Sequence, residues 1–380
     1  MKKILFYSIL MIMFVCPVYS GTHKSTPGES KTQSFQVARG GTLEVSISEG
    51  DISVSSWDKA EVQIKAEGID QDEMEELRMS QIGNNVRVTF RPEWGSRHVR
   101  FTINIPLEYN TDMHTSGGDI ELQGIFRGMI EGSTSGGDIR LGDVEGKVDM
   151  GTSGGDVIAG KVTGTARLRT SGGDVRLTTC SGDVDLHTSG GEITVGNVGK
   201  TLVARTAGGD ISIGDVGGEA TISTAGGDIT VGKVTGSVTM KTAGGDIELK
   251  GGSGLIRAKT AGGDIDMKDL TGSVEASTAG GDVIAQLRPS GNGRSRLSSS
   301  GGDVVLYLPA SAKANIEALI DVHGRWDEDD EYEIVSDFKP QSYDKDRGAK
   351  EIRATFVLNG GGESIFLETS NGNINIRTLQ

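Results

Sequence analysis

The sequence is poor in aromatic residues, in long hydrophobic runs and in basic charge. Aromatic residues make up 5% and hydrophobic residues 35% of the 380 residues, which is too little to fill a wide globular core. The 53 acidic residues outnumber the 38 lysines and arginines, whereas nucleic-acid binding needs a clustered basic surface. We therefore expect no nucleic-acid partner.

Cysteine is also scarce, with only Cys16 and Cys180. Residues 1–20 begin with two lysines, continue through a short apolar stretch and end at Ser20, a pattern typical of a cleaved signal peptide. Lipid attachment at Cys16 is the alternative, but Val15 precedes it where a small residue is favoured. Cleavage would leave no disulfide and no transmembrane segment. We expect an extracytoplasmic protein, in the periplasm, at the cell surface or secreted.

Glycine is abundant instead, with 58 residues, and much of it belongs to one repeat. An acidic residue follows a glycine doublet at intervals of about 18 residues, and such a fixed period indicates a repeat architecture. An Ile or Val always follows the acidic residue, and a second apolar residue comes two positions later, which is strand spacing. The acidic positions are Asp119, Asp138, Asp156, Asp174, Glu192, Asp210, Asp228, Asp246, Asp264, Asp282 and Asp303.

Each repeat unit predicts two short strands, because a second apolar pair such as Val148 and Met150 comes half a repeat after the first. Glycines precede both pairs and are expected to supply positive φ angles or tight corners. We predict an all-β fold, a parallel single-stranded β-solenoid with a flattened coil of about 18 residues, stacked about 4.8 Å apart. Crossover handedness favours a right-handed coil, and a left-handed triangular coil is the alternative.

The two ends lack the regular repeat and are expected to cap the solenoid. The predicted organisation is a signal peptide over 1–20, a flexible linker over 21–33, a β capping region over 34–110, the solenoid over 111–308 and a C-terminal β region over 309–380. A short helix is expected over 70–79, and an acidic insert over 323–350 is expected to be a surface excursion. Aromatic residues outside the coils would favour binding at the ends; they are Trp57, Trp94, Trp326, Tyr332, Phe338 and Tyr343.

Several stretches together carry a resemblance. They are the GGDI repeats, the GDISV stretch before Trp57, the FTINIP stretch at 101–106, the VLYLP stretch at 305–309 and the terminal NGGG and LETSNGNINI stretches. Through them, residues 34–380 resemble the bacterial putative-adhesin family of GGDI-repeat β-solenoid domains. The resemblance implies an exported cell-envelope β-solenoid of unsettled role, and it brings no catalytic residues.

The repeated carboxylates allow three interpretations. Paired catalytic acids need divergent environments in one pocket, whereas these residues are equivalent along a ridge. We therefore expect no enzyme activity. Calcium-binding β-rolls also have about 18 residues per coil, but with the spacing GGxGxD and aspartate in both half-coils. In this chain the aspartate follows the glycine doublet directly, and the second half of the repeat unit has an aspartate only at Asp183. The candidate calcium ladder comprises Asp174, Asp210, Asp228, Asp246 and Asp264, and no other cofactor is expected.

We favour the third interpretation, a structural corner. The residues predicted to form this structural turn are Gly208, Gly209 and Asp210 in one coil and Gly226, Gly227 and Asp228 in the next. Glycine amides and threonine hydroxyls are expected to bond the carboxylate. His114 and His187 share a column but lie four coils, about 19 Å, apart and cannot share a metal. Cys180 falls in a valine column and should point inward.

The favoured function is a non-enzymatic, adhesin-like binding module for an unidentified envelope or surface ligand, either protein or glycan. A passive envelope or surface-assembly scaffold and a calcium-dependent β-roll-like protein are the alternatives.

Overall fold

The computed structural model describes residues 29–92, 99–289, 291, 293–322, 332–346 and 350–379. The expected signal peptide, Trp94 and Trp326 lie outside the described residues. Within them, the structure is all β except for a single 3₁₀ turn at Met74–Glu76. No helix in the described part of the chain is long and apolar enough to span a bilayer.

Eight strands form the N-terminal region. They are β1 (Glu29–Gln36), β2 (Thr42–Ile47), β3 (Asp51–Trp57), β4 (Glu61–Ile69), β5 (Arg78–Ile82), β6 (Asn85–Phe90), β7 (Arg100–Pro106) and β8 (Asn110–His114). β1 pairs antiparallel with β4, so the last residues of the expected linker are a strand. The helix expected over 70–79 is wrong. The 3₁₀ turn there has no fully buried residue; Met74 packs only partly against the core, and Leu77, which follows the turn, is buried.

The repeats form the strands of the solenoid. They are β9 (Ile120–Ser133), β10 (Ile139–Gly151), β11 (Val157–Val162), β12 (Ala166–Arg169), β13 (Val175–Cys180), β14 (Val184–His187), β15 (Ile193–Val195), β16 (Leu202–Arg205), β17 (Ile211–Ile213), β18 (Ala220–Ser223), β19 (Ile229–Val234), β20 (Val238–Lys241), β21 (Ile247–Lys259), β22 (Ile265–Thr278), β23 (Val283–Leu287), β24 (Arg294–Ser299) and β25 (Val304–Leu308).

Successive coils pair in parallel and in register. β11 pairs with β13 so that Val157 faces Val175, and β12 pairs with β14 so that Ala166 faces Val184. A column of single-residue bridges links Cys180, Val198, Val216 and Val234. Each coil therefore has a first side that follows the acidic residue, a bridge side, and a second side that leads back to the glycine doublet. The predicted parallel β-solenoid is confirmed.

The core consists of stacked aliphatic columns one residue deep. In the coil of Asp210 the buried side chains belong to Ile211, Ile213, Val216, Ala220 and Ile222. The Ile or Val that follows each acidic residue is buried, as predicted, because alternate strand residues point inward. A coil of this kind needs only a handful of apolar side chains, which explains how a chain with 35% hydrophobic residues remains folded.

The stack continues beyond the regular repeats at both ends. β3 pairs in parallel with β9, and the last strand pairs with β25. The C-terminal strands are β26 (Ala314–Asp321), β27 (Ile334–Ser336), β28 (Ser342–Asp346), β29 (Glu351–Leu358), β30 (Glu363–Thr369) and β31 (Ile374–Thr378). Antiparallel partners follow at each end, β4 on β7 and β29 on β26, so that the end strands no longer continue the parallel coil. The domain limits at 110 and 308 remain predictions.

The acidic insert expected over 323–350 is not a free excursion where the structure describes it. β27 pairs with β31, and β28 pairs with β29. Apolar side chains hold this segment against the rest of the protein, because Ile334 is buried and Phe338 packs against the core. Residues 323–331 and 347–349 lie outside the described residues.

Candidate functional site

The repeated aspartates lie at one corner of the rod, where each binds the next coil. The Oδ1 atom of Asp210 accepts a hydrogen bond from the backbone N–H of Asp228 at 2.8 Å, and Asp228 accepts from Asp246 at 2.8 Å. The same bond begins at Asp51 and ends at Asn373. We call this column the corner ladder. It joins the coils through a charge-assisted bond to an otherwise available backbone donor.

The corner threonines form a second column of bonds. The Thr224 hydroxyl donates to the Gly209 carbonyl of the preceding coil at 2.9 Å, and the Thr242 hydroxyl donates to the Gly227 carbonyl at 2.9 Å. The expectation that glycine amides and threonine hydroxyls would bond the carboxylate is therefore wrong. The carboxylate reaches along the rod axis to the next acidic residue's own amide, and the threonine satisfies a glycine carbonyl instead.

The glycine doublet is required by close approach rather than by backbone conformation. We expected these glycines to supply either positive φ angles or tight corners. In the described coils none of the doublet glycines has a positive φ, so the first of these reasons does not apply to the doublet. A Cβ added at Gly227 would lie 2.5 Å from the Oδ1 atom of Asp210 and closer still to the Gly209 carbonyl oxygen. A Cβ added at Gly226 would lie 3.2 Å from the nearest atom, the Gly208 carbonyl oxygen. The second glycine makes room for the corner ladder.

Within the described residues the corner ladder is interrupted at one step. The Glu192 amide donates to the Oδ1 atom of Asp174 at 2.9 Å, but no corresponding bond joins the Asp210 amide to Glu192. The extra methylene of glutamate displaces its carboxylate from the position that an aspartate occupies. The corner ladder thus falls into two runs, whereas the threonine bonds continue through this step.

A shorter ladder of the same kind lies on the bridge side, and sequence reasoning missed it. Asp143, Asn197 and Asp215 accept from the backbone amides of Lys161, Asp215 and Lys233 at 2.8, 3.0 and 2.8 Å. A glycine stands above each acceptor, where a Cβ would lie within 2.5–2.6 Å of the side-chain oxygen; these glycines are Gly160, Gly214 and Gly232. Each glycine comes one position short of a full repeat after its Asp or Asn, and that spacing was the signal that could have revealed the ladder.

The candidate calcium ladder offers few ligands at any one point. Asp174, Asp210, Asp228, Asp246 and Asp264 form one column, and the Oδ1 atom of each accepts a backbone amide. Calcium takes six to eight oxygen ligands, whereas each coil here leaves one carboxylate oxygen. In the part of the chain that the structure describes, no three His, Cys, Asp or Glu side chains are grouped as metal ligands.

The histidines and the cysteine lie where the repeat placed them. The register from His114 through Ser133 to His187 spans four coils, so the two imidazoles are not neighbours. Cys180 is buried and bridges Val198, as predicted. Burial raises the pKa of the Cys180 thiol, which makes it a poor nucleophile.

A shallow groove of about 520 Å³ follows the bridge side. Lys161 and Lys233 stand at its two ends. They are four coils apart, which is about 19 Å at the usual strand spacing. Asn197, Asp215 and Thr179 line the groove between them. Neither lysine has an ion-pair partner among the described residues, so the groove combines two available cations with hydroxyl, amide and carboxylate groups.

The aromatic residues expected to mark a binding end are partly engaged within the chain. The Trp57 indole N–H donates to the Glu61 carbonyl at 2.8 Å, and the Lys59 ammonium lies 4.3 Å from the ring centre. Tyr332 and Phe338 pack against the core. Tyr343 is exposed over 47% of its surface. The ends therefore present one open aromatic side chain in the described residues rather than a cluster.

The stacked coils, the capped ends and the corner ladder define a non-globular β-solenoid, and a family comparison agrees. Residues 42–213 and 197–321 match the family described as Toastrack DUF4097. The matched segments cover more than half of the chain, which belongs to this family of domains of unknown function. Its definition by GGDI repeats remains a prediction. No curated protein matches the chain.

Solved structures with distant likeness include three bacterial proteins. A putative cell adhesion protein from Clostridium sporogenes is 9% identical, with 93% of this chain and 100% of that chain covered and a TM-score of 0.18. A putative adhesin from Bacteroides fragilis is 12% identical, with 92% and 97% covered and a TM-score of 0.24. A putative lipid binding protein from Parabacteroides distasonis is 11% identical, with 72% and 94% covered and a TM-score of 0.24. At these values the likenesses support no functional inference.

Proposed function

We propose that this chain is a non-enzymatic, extracytoplasmic, adhesin-like module that binds an elongated envelope ligand along its bridge side. The observation that carries the proposal is the groove bounded by Lys161 and Lys233. It spans several coils along the rod axis, places polar side chains beside a mostly apolar surface, and is flanked by two cations that have no ion-pair partner among the described residues.

The repeated carboxylates support a scaffold for binding rather than for catalysis. Each Oδ1 atom at the corner accepts an amide from the next coil, and each threonine hydroxyl donates to a glycine carbonyl. These groups occupy equivalent environments from coil to coil. Acid–base catalysis needs neighbouring groups whose environments differ, so the corner lacks the asymmetry that such chemistry requires.

The groove chemistry favours an anionic glycan as the ligand. Sugar hydroxyls can exchange hydrogen bonds with Thr179, Asn197 and Asp215, and carboxylate or phosphate groups on the polymer can pair with the lysines. A glycan strand can follow the rod axis across several coils. Envelope location follows from the expected signal peptide and remains part of the proposal.

Co-sedimentation with purified bacterial envelopes tests the function. The full chain is incubated with intact envelopes, with protease-treated envelopes and with envelopes whose glycans have been removed. We expect saturable binding that survives protease and is lost with the glycans. The Lys161→Glu/Lys233→Glu variant should bind at least about tenfold more weakly, since two favourable charge contacts become repulsive.

The matched control is Lys31→Glu/Lys313→Glu, which makes the same change in net charge at two exposed positions outside the groove. It should bind like the wild type. Equal losses in both variants would show nonspecific electrostatics, and the absence of saturable binding to any envelope fraction would favour the passive scaffold instead.

A further inference from the structure

The exposed corner of the rod changes its chemistry between the coils of Glu192 and Asp210. In the earlier coils the residue before each glycine doublet is a serine, at Ser116, Ser135, Ser153, Ser171 and Ser189. In the later coils it is an alanine, at Ala207, Ala225, Ala243, Ala261 and Ala279. All of these side chains are exposed. We call the row of alanines the methyl row; it begins at the step where the corner ladder is interrupted.

The methyl row is flanked by a row of cations. Arg205, Lys241 and Lys259 are exposed and occupy one register position at the end of the second side, together with Ser223. None of the three has an ion-pair partner within the described residues. We call them the cation row. In an earlier coil the same position is Arg169, which pairs with Asp185 at 3.1 Å.

On the other flank lies a row of anions. Asp210, Asp228, Asp246 and Asp264 are exposed, and they have no ion-pair partner among the residues that the structure describes. We call them the anion row. The corresponding aspartates of earlier coils are compensated: Asp138 pairs with Arg140 at 2.6 Å, and Asp174 pairs with Arg176 at 2.8 Å. Three properties thus change together: the coils of Ala207, Ala243 and Ala261 carry a methyl between unpaired charges of opposite sign, whereas the coil of Ala225 has Ser223 in place of the cation.

Like charges repel one another along each row. The aspartates of the anion row lie on adjacent coils, about 4.8 Å apart, as do Lys241 and Lys259, whereas Arg205 lies two coils from Lys241. A facing surface with the opposite left-to-right order of charges would offset the repulsion within both rows at once. A second copy of the chain provides that order in one orientation. A twofold rotation about an axis parallel to the rod sets the anion row of one copy against the cation row of the other.

A twofold rotation about an axis perpendicular to the rod, within the interface plane, does the reverse. It places cations over cations and anions over anions, which is repulsive. The charge order therefore distinguishes parallel from antiparallel pairing. The alanine methyls and glycines between the rows allow close approach of the two rods, because they carry no long side chains.

We propose that the chain forms a parallel, side-by-side dimer through the methyl row, with the cation row of each copy against the anion row of the other. Four to five coils give a contact about 20 Å long. A contact of this length should bury less surface than the interface of a stable dimer, which covers about 800 Å² per partner. The dimer should therefore be weak, concentration-dependent and sensitive to salt.

Sedimentation velocity of the full chain over a range of concentrations tests the proposal. We expect reversible dimerisation at low ionic strength and its loss at about 1 M salt, where the Debye length is about 3 Å. Lys241→Glu/Lys259→Glu should raise the dimer dissociation constant at least about tenfold. Lys161→Glu/Lys233→Glu makes the same net-charge change away from the methyl row and should leave the constant unchanged. Circular dichroism verifies that both variants are folded.

Orientation is tested by mild oxidation of single-cysteine additions. In the parallel dimer, Ala207→Cys faces its own copy and should form a disulfide-linked dimer that the wild type does not form. In an antiparallel dimer Ala207 would face Ala279, so only the central Ala243→Cys would link efficiently. A chain that stays monomeric at all concentrations, a salt-insensitive dimer, or linkage at Ala243→Cys without Ala207→Cys would overturn the proposal. So would loss of envelope binding in Lys241→Glu/Lys259→Glu without any dimer, which would assign the rows to another ligand.

Discussion

Asp210 and Asp228 are joined by a hydrogen bond of 2.8 Å from the backbone amide of the second to the carboxylate of the first. The same relationship recurs between successive coils, with one break at Glu192 among the coils that the structure describes. Away from this break, each aspartate inside the ladder accepts a bond from the next coil through its carboxylate and donates one to the preceding coil through its backbone amide. The conspicuous acid of each repeat is bonded within the rod.

The two glycines of a doublet should differ sharply in their tolerance of substitution. Gly227→Ala would push a Cβ into the Asp210 carboxylate and the Gly209 carbonyl, and we expect a loss of about 3 kcal/mol or more. Gly226→Ala meets its nearest atom at 3.2 Å and should cost about 1 kcal/mol or less. Chemical denaturation of the two variants measures the difference. Equal losses would show that backbone conformation, not close approach, requires the doublet.

Asp228 should tolerate amidation but not truncation. Asp228→Asn keeps a side-chain oxygen that can accept the Asp246 amide, so the free energy of unfolding should change little. Asp228→Ala leaves that amide without its acceptor and should cost about 1–2 kcal/mol. Thermal melts compare the two variants. A large loss from Asp228→Asn would mean that the carboxylate charge itself holds the coils.

Restoring the missing step of the corner ladder should stabilise the rod. Glu192→Asp shortens the side chain so that its oxygen can accept the Asp210 amide. Gly209 already leaves room for it. We expect a gain of about 1 kcal/mol, measured by chemical denaturation. Glu192→Gln keeps the longer side chain and serves as the control, for which we expect no gain; an equal gain from it would show that the shorter side chain of aspartate is not the cause.

Stability should fall at alkaline pH through Tyr109. Its buried phenol donates to the Asn84 carbonyl, and burial raises the pKa of Tyr109 to about 12, against about 10 in the unfolded chain. The unfolded chain therefore loses its proton first, and the contribution present below pH 10 is lost as the pH rises from about 10 to 12. Denaturation across this range should show a smaller slope for Tyr109→Phe than for wild type.

Tyr307→Phe removes a half-buried phenol from β25 and serves as the control for Tyr109→Phe. An unchanged slope in Tyr109→Phe would show that other groups cause the alkaline loss.

The repeat made much of this fold predictable, because a coil that returns with a fixed period presents each core position many times. The columns through Ile211 and Val216 and the inward Cys180 follow directly from it. The role of the doublet did not, because a sequence does not show that the Asp210 carboxylate occupies the space beside Gly227. The bridge-side ladder and the groove depend on neighbours in the adjacent coil and were missed for the same reason.

The ends were least predictable. Residues 70–79 contain several helix-forming acids, yet the structure gives a 3₁₀ turn followed by a strand. The insert after Val322 has a composition typical of a loop, yet β28 pairs with β29. In both cases an antiparallel pairing with the next strand along the chain, β5 with β6 and β28 with β29, occurs once and leaves no repeated pattern in the sequence.

The central claim is that hydrogen bonds between coils, not cations, hold the corner aspartates. It is tested most directly by circular dichroism and thermal melting of the full chain in excess chelator and after millimolar calcium is restored. We predict a β-type spectrum in chelator and a melting temperature that moves by only a few degrees with calcium, because amides already occupy the Oδ1 atoms. A chain that is unfolded in chelator and becomes β-rich on calcium addition would contradict the account, and the aspartates would then be calcium ligands.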